Sequence, residues 1–452
     1  MASNRDGRRD RYYEDDYREP ARRRPSDDGR SEAGSRRRES DVRYRESANR
    51  RREPASRRRD YDDGYDDYDD YSDRRKSAAP QRRKRSAEEA RRAAAEAAKK
   101  RKKKRRRIVF LIVELIALLG LVGVVWFVQK GTSIQKIKIN EDDIVINDTV
   151  AARMEDETLK GYRNIALFGV DARDKSLGKG NRSDTIIIAS INEDTGDVKL
   201  CSVFRDTYLN LGNDTYNKCN AAYAKGGPEQ AINMLNMNLD LNITDYVTVG
   251  FTGLAKIVDA LGGVTIDVKD EEIVHLNNYQ ISMVGKSDDD KNFYATEGKD
   301  YTAVKSSGVQ RLNGLQATAY CRIRYVGNDF VRAERQRNVI GECLNVAKQA
   351  SPKELAAAYE GVSEYISTSL DSDEIISLLG SVGKYNIVGS DGFPFESNRA
   401  TGTVGQKGSC VIPANLEENV VLLQQFLFDD YSYTPSSEVT TYSNKVSSDT
   451  GY

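Results

Sequence analysis

The chain predicts an α/β domain: a mixed sheet covered by helices on both faces. Three observations carry that expectation. Three apolar, β-type runs (Ile165–Val170, Thr185–Ile191 and Val198–Phe204) follow one another closely, each bounded by charge. Further strand patterns at Tyr246–Val249 and Val264–Val268 are interleaved with helical patterns, without a strict βα repeat. The stretch from Lys130 onward, about 320 residues, is long enough to enclose one large core.

Taken in order, residues 1–85 are dense in Arg, Asp, Ser and Tyr and poor in aliphatic residues. Such a chain cannot bury enough apolar surface to offset its conformational entropy, so it reads as a disordered polyampholyte tail. Ser86-Ala-Glu-Glu89 has capping-box spacing, and alanine-rich charged sequence follows, so residues 86–107 read as a basic helix. Its last nine residues, Lys99–Arg107, are all basic. Residues 108–128 then carry one charge, Glu114, in twenty-one residues, enough to span a bilayer. The basic flank puts the N-terminus in the cytoplasm and suits anionic lipid headgroups. Residues 129–160 read as an extracellular stalk, 161–433 as the extracytoplasmic domain, and 434–452, rich in Ser and Thr, as a disordered tail.

Within the domain, Asn217–Tyr223 enters a short helix that ends at Gly226-Gly227. A second helix fits Pro228–Asn238, with proline in its first turn. Phe251–Leu261 reads as a helix closed by Gly262-Gly263. Glu271–Ser307 is polar and reads as an elaborated loop. Helical patterns recur at Asn313–Arg322, Arg332–Lys348, Glu354–Gly380 and Asn415–Phe428. The apolar faces of Ala231–Leu241 and Phe251–Leu261 read by pattern as ordinary core.

Composition narrows the chemistry. Residues 1–107 hold 38 Lys/Arg and 24 Asp/Glu, a net of +14; the remaining 32 and 46 give −14. The two parts therefore face different partners. A single histidine, His275, argues against Ser–His–Asp and Cys–His systems and multi-histidine zinc sites. It lies in the polar stretch and reads as incidental. Five cysteines (201, 219, 321, 343, 410) form no CxxC pair. Outside the cell they permit one or two disulfides, with pairing open and at least one thiol left over.

What remains is carboxylates and arginines. If neighbouring strands run antiparallel, Asp171-Ala-Arg173-Asp174, Asn181-Arg182-Ser183-Asp184 and Arg205-Asp206 converge on one sheet edge. Amphipathic strand ends with charges in water explain them equally well in isolation. A second cluster, Arg322-Ile-Arg324 and Asp329-Phe-Val-Arg332-Ala-Glu-Arg335-Gln336-Arg337, packs arginines into an otherwise acidic region. On a helix Arg332 and Gln336 share a face. Guanidinium groups bind phosphate oxygens in pairs. Together the two clusters describe a site for a pyrophosphate and a divalent cation.

These residues resemble the LytR–CpsA–Psr family. The resemblance rests on Gly169-Val-Asp-Ala-Arg173, Arg182-Ser-Asp184-Thr, Ser202-Val-Phe-Arg205-Asp206, Asn217-Lys-Cys-Asn220-Ala-Ala-Tyr223 and Asp259-Ala-Leu-Gly262-Gly263-Val. Leu312-Asn-Gly314-Leu-Gln-Ala317, Tyr320-Cys-Arg322-Ile-Arg324 and Asp329-Phe-Val-Arg332-Ala-Glu-Arg335-Gln336 complete it. It implies a three-layer α/β/α domain and a membrane-anchored phosphotransferase. Such an enzyme moves a glycopolymer of teichoic acid or capsule type from an undecaprenyl-pyrophosphate carrier to a peptidoglycan sugar hydroxyl. Asp171 and Asp184 match positions linked to Mg²⁺. Arg205, Arg322, Arg324, Arg332 and Gln336 match pyrophosphate-binding positions, and Arg173 and Lys218 match less closely. Asp171, Arg205, Arg322 and Arg324 would carry catalysis, with Asp171 a candidate proton acceptor. Phe204 departs from the proline of many members. A different class, a non-catalytic sensor or scaffold that binds lipid-linked polymer, remains as the alternative. Nucleic acid is not an expected partner.

Overall fold

The central strand explains the layers. Thr185–Ile191 is apolar at successive positions, as a strand buried on both faces must be. In the computed structural model this run lies in β2 (Ser183–Asn192), flanked antiparallel by β1 (Tyr162–Val170) and β3 (Asp197–Val203). The structure describes residues 99–100, 102–103, 135, 137, 139–154, 159–172, 176–287 and 293–452. The predicted tail, the apolar span 108–128 and Arg173 lie outside the described residues. Among the described residues no helix is long and apolar enough to cross a membrane.

A short helix α1 (Asp148–Met154) precedes the sheet. After β3 come a small hairpin, β4 (Tyr208–Asn210) and β5 (Tyr216–Lys218), and helix α2 (Asn220–Leu239). Then follow β6 (Asp245–Gly250), α3 (Phe251–Ala260), β7 (Val264–Val268), α4 (Asp270–Val284), the short pair β8 (Lys286–Ser287) and β9 (Phe293–Tyr294), β10 (Gly308–Leu312) and α5 (Gly314–Tyr320). The chain continues through α6 (Asp329–Ala347), α7 (Pro352–Val362), β11 (Ile366–Thr368), α8 (Ser372–Ser381) and β12 (Asn386–Phe393). It ends with β13 (Arg399–Thr403), β14 (Ser409–Pro413), α9 (Leu416–Phe428) and α10 (Ser437–Thr450). The main sheet has the order β11-β6-β1-β2-β3-β12, with parallel β1/β6 and β3/β12 pairs and the others antiparallel.

Alternate residues face opposite layers. Ala166, Phe168, Ile186, Ile188, Cys201 and Val203 pack with Ile232 and Leu235 of α2 and Val420 and Leu423 of α9. Ile165, Ile187, Ala189, Val198 and Leu200 pack with Ile340 of α6 and Leu378 of α8. A second core unites α3, α4, α5 and α6 with the β7/β10 pair. Ala231–Leu241 is therefore core, as its pattern reads. In α2 the double glycine works as expected: Gly227 (φ 74°, ψ −156°) breaks the helix before Pro228 starts the next turn.

Four readings are corrected. The stalk is built onto the domain: Val150 and Leu159 are buried, Arg153 pairs with Asp430 at 2.6 Å, and Val145 N–H donates to Asn233. The stretch 271–307 is not simply a loop, because 270–284 is a helix. Its polar residues Glu272 and Gln280 are buried against partners and so do not read as an apolar stripe. Residues 434–452 hold the fourteen-residue helix α10 instead of disorder. Ser436 caps it, and Val439, Ser443 and Val446 bury one face, a stripe diluted by exposed Ser and Thr. Within Glu354–Gly380 a strand, β11, separates the two helices.

Candidate functional site

The antiparallel order β1/β2/β3 brings the end of β1, the start of β2 and the end of β3 to one sheet edge. Asp184 is aimed by an irregularity. Gly169 pairs with Thr185 and Val170 with Ser183, so Asp184 is the extra residue of a bulge. Asp171 is exposed and follows the last residue of β1, on the strand beside Asp184.

Arg205 leaves β3 in a turn held from below. The Cys219 thiol lies 3.1 and 3.3 Å from the carbonyls of Phe204 and Arg205, and Asn220 N–H donates to the Arg205 carbonyl. Phe204 stacks edge-to-face on Phe330 at 4.5 Å, and the Arg399 guanidinium lies 3.7 Å from the Phe330 ring centroid. This packing fastens the turn to the start of α6, whose cap is Asn328. The family-variant Phe204 thus joins the two arginine clusters.

Arg205 Nη1 donates to Asp184 Oδ1 at 2.8 Å, and Arg324 Nη2 lies 3.7 Å from Asp184 Oδ2. Arg332 donates to the backbone carbonyl of Asp184 at 2.9 Å and pairs with Asp329 at 3.1 Å. Lys218 pairs with Asp206 at 3.4 Å. Two donors are left over: Nε of Arg205 and Nε of Arg332 are buried with no hydrogen-bond partner. The oxygens of Asp206 and Asp329 stand 3.7 and 3.8 Å from the former. Buried donors are rarely orphaned. An oxyanion would complete the set.

The electrostatics agree. Burial works against the charge of Asp184, but Arg205, Arg332 and Arg324 outweigh it and hold its carboxyl below the usual range. Burial likewise opposes the charge of Arg205, and Asp184, Asp206 and Asp329 overcome it. Arg332 has no such surplus. Burial, with Arg205 and Arg324 against Asp329 and Asp184, pushes it down to about 10. One more anion would relieve it.

Among the described residues no three His, Cys, Asp or Glu side chains gather to hold a metal. Asp171 follows β1 beside the bulge that carries Asp184, whose two carboxyl oxygens face Arg205 and Arg324.

A model of the LytR_cpsA_psr family matches residues 124–410. The chain belongs to this family. Biofilm regulatory protein A of Streptococcus mutans is 29% identical over 315 residues, covering 62% of this chain and 72% of that protein. The polyisoprenyl-teichoic acid–peptidoglycan teichoic acid transferase TagU of Enterococcus faecalis is 32% identical over 216 residues. That match covers 47% of this chain and 63%, less than two thirds, of TagU. A solved structure described as TagT bound to LIIa-WTA covers 68% of this chain and 98% of its own, at 19% identity and a TM-score of 0.47.

The LytR_cpsA_psr motifs divide into site and support. Asp184, Arg205, Lys218, Arg324 and Arg332 are brought together. Arg322 lies over Phe251 at 4.3 Å and Tyr279 at 5.3 Å. Gln336 donates to the Cys321 carbonyl beside it, at 3.3 Å. Other motif residues build the frame. Gly314 donates to Asp259, and a Cβ there would collide with the Ala255 carbonyl. The Tyr223 hydroxyl bonds the Leu177 carbonyl and Thr248.

Sequence reasoning placed Asp206, Asp329 and Arg335 in its charged clusters without a role for them, and missed Tyr279 and the pairing of Glu272 with Arg335. Asp329 had a local signal, its i,i+3 spacing to Arg332. Glu272–Arg335 had none. It joins α4 to α6 at 2.7 Å, both side chains 3% exposed or less. Arg335 also donates to the carbonyls of Ile323 and Val326, so it holds the segment bearing Arg322 and Arg324. No disulfide forms among the described residues: all five cysteines are free, four of them buried.

Proposed function

We propose that this protein is a membrane-anchored phosphotransferase. It moves a glycopolymer of teichoic acid or capsule type from an undecaprenyl-pyrophosphate carrier to a sugar hydroxyl of peptidoglycan, outside the cell. The carrying observation is the pair of buried, unpartnered guanidinium donors on Arg205 and Arg332 within a cation-rich sheet edge. TagU, named for the transfer of teichoic acid to peptidoglycan, supports the reading. The basic run and apolar span of residues 99–128 support the anchoring.

In the proposed reaction an acceptor hydroxyl attacks the polymer-proximal phosphorus. The new P–O bond forms as the bond to the lipid phosphate breaks, and the hydroxyl proton passes to a carboxylate, with Asp171 the exposed candidate. Arg205, Arg324 and Arg332 hold the non-bridging oxygens, whose charge grows in the transition state. Asp184 spaces these guanidiniums. Mg²⁺, held by Asp171 and Asp184, would add positive charge at the phosphates.

The test uses the full chain in detergent with a lipid-pyrophosphate oligosaccharide, Mg²⁺ and a peptidoglycan oligomer, followed by mass spectrometry. A phosphodiester-linked product, lost with EDTA and in Arg205→Ala, is expected. Binding without product across several polymers would sink the transferase in favour of the scaffold.

A further inference from the structure

Helix α4 presents Glu272, His275 and Tyr279 at i, i+3 and i+7, one face by helical geometry. That face meets the arginine-bearing segment turn by turn. Glu272 takes Arg335, which holds the carbonyls of Ile323 and Val326. His275 stacks on Tyr325, with ring centroids 5.4 Å apart and planes 24° off parallel. Tyr279 lies under Arg322. Burial raises the Tyr279 hydroxyl, opposed by Arg324, Arg322 and Arg332, with Tyr325 adding to the rise, so this tyrosine feels both the arginines and the stack.

Tyr325 directly follows Arg324, whose guanidinium faces Asp184. Yet it is 59% exposed. A tyrosine that needed burial would be covered. Here one side of the ring rests on half-buried His275 and much of the side chain stays in water. An exposed aromatic face beside a phosphate site has the shape and apolarity to take the C–H face of a pyranose. A stiff ring loses little conformational freedom on doing so.

We propose that Tyr325, backed by His275, is a stacking surface for a sugar ring next to the pyrophosphate. The inference rests on the pyrophosphate reading above. The ring could belong to the lipid-linked donor or to the acceptor glycan, and the experiment separates them.

The full chain in detergent is titrated with three probes: a short-chain polyprenyl pyrophosphate, the same lipid bearing an N-acetylhexosamine disaccharide, and a free peptidoglycan glycan oligomer. Tyr325→Ala is expected to bind the sugarless lipid as wild type does. It should weaken one of the two sugar-bearing probes about tenfold, as loss of an aromatic contact does. Tyr325→Phe should keep wild-type affinity. An effect on the disaccharide lipid assigns the ring to the donor, and an effect on the free glycan assigns it to the acceptor. Unchanged binding of both sugars overturns the proposal, as does an equal loss for the sugarless lipid. A wild-type chain that binds neither lipid overturns the pyrophosphate reading itself, and the stacking surface with it.

Discussion

Replacing Arg335 by methionine tests how the arginine segment is held. Glu272 and Arg335 are 2% and 3% exposed and 2.7 Å apart. Arg335→Met would leave the Glu272 carboxylate buried with only the Lys269 N–H, at 2.9 Å, to hold it. It would also strand the carbonyls of Ile323 and Val326. Breaking a buried pair from one side costs about 3–5 kcal/mol, whereas apolar replacement of both partners is often neutral. The single variant should therefore unfold on the order of 10 °C lower, and Glu272→Leu/Arg335→Met should recover most of that loss. Urea and thermal unfolding of the full chain in detergent measure it. A single-variant loss below about 1 kcal/mol, or a double variant no better than the single, would refute the reasoning. Both variants should bind polyprenyl pyrophosphate more weakly, because neither anchors Ile323 and Val326.

Arg205→Ala should lower turnover by about 10²–10³, as for a lost oxyanion donor, and calorimetry should register weaker pyrophosphate binding. The Asp184 carboxyl sits below its unfolded range, so its stabilising contribution is complete above pH ~4 and is lost as pH falls through the depressed value. Wild type should accordingly lose stability with acid more steeply than Asp184→Asn; parallel curves would contradict the assignment. Burial raises the thiols of Cys201, Cys219 and Cys321 and pushes Cys343 up to about 12, so native protein at neutral pH should label slowly with iodoacetamide, and rapid labelling would disprove their inertness. Gly314→Ala should destabilise by about 1–3 kcal/mol or more, because its Cβ has no room beside the Ala255 carbonyl; a near-neutral unfolding midpoint would be inconsistent.

The sheet was legible because β1, β2 and β3 are apolar enough to need burial on both faces, and their order alone placed Asp184 and Arg205 on one edge. The break at Gly227 was legible because glycine and proline act locally. What escaped depends on tertiary partners. Glu272 looks like a loop residue until Arg335 arrives from sixty-three positions away. Val439 and Val446 look isolated until Asp240 accepts the Ser436 N–H and the Tyr433 hydroxyl and turns the chain into α10. Cys219 looked like half of a bridge, and it serves through its proximity to the two carbonyls that form the Arg205 turn.

Gln135 sets a reach. It joins the edge strand β11 in parallel beside Ser367, and its N–H donates to the Ile366 carbonyl at 3.3 Å. Ile366 pairs with Val249, and Val249 with Gly169, so Gln135 stands three strand spacings, about 14 Å, from the end of β1. Six residues lie between it and Val128, the last residue of the predicted span, and the seven Cα–Cα steps cover at most about 25 Å. With that span in a bilayer, the leash is too short for the domain to drift away. It would hold Gln135, and the sheet it joins, within about 25 Å of the bilayer.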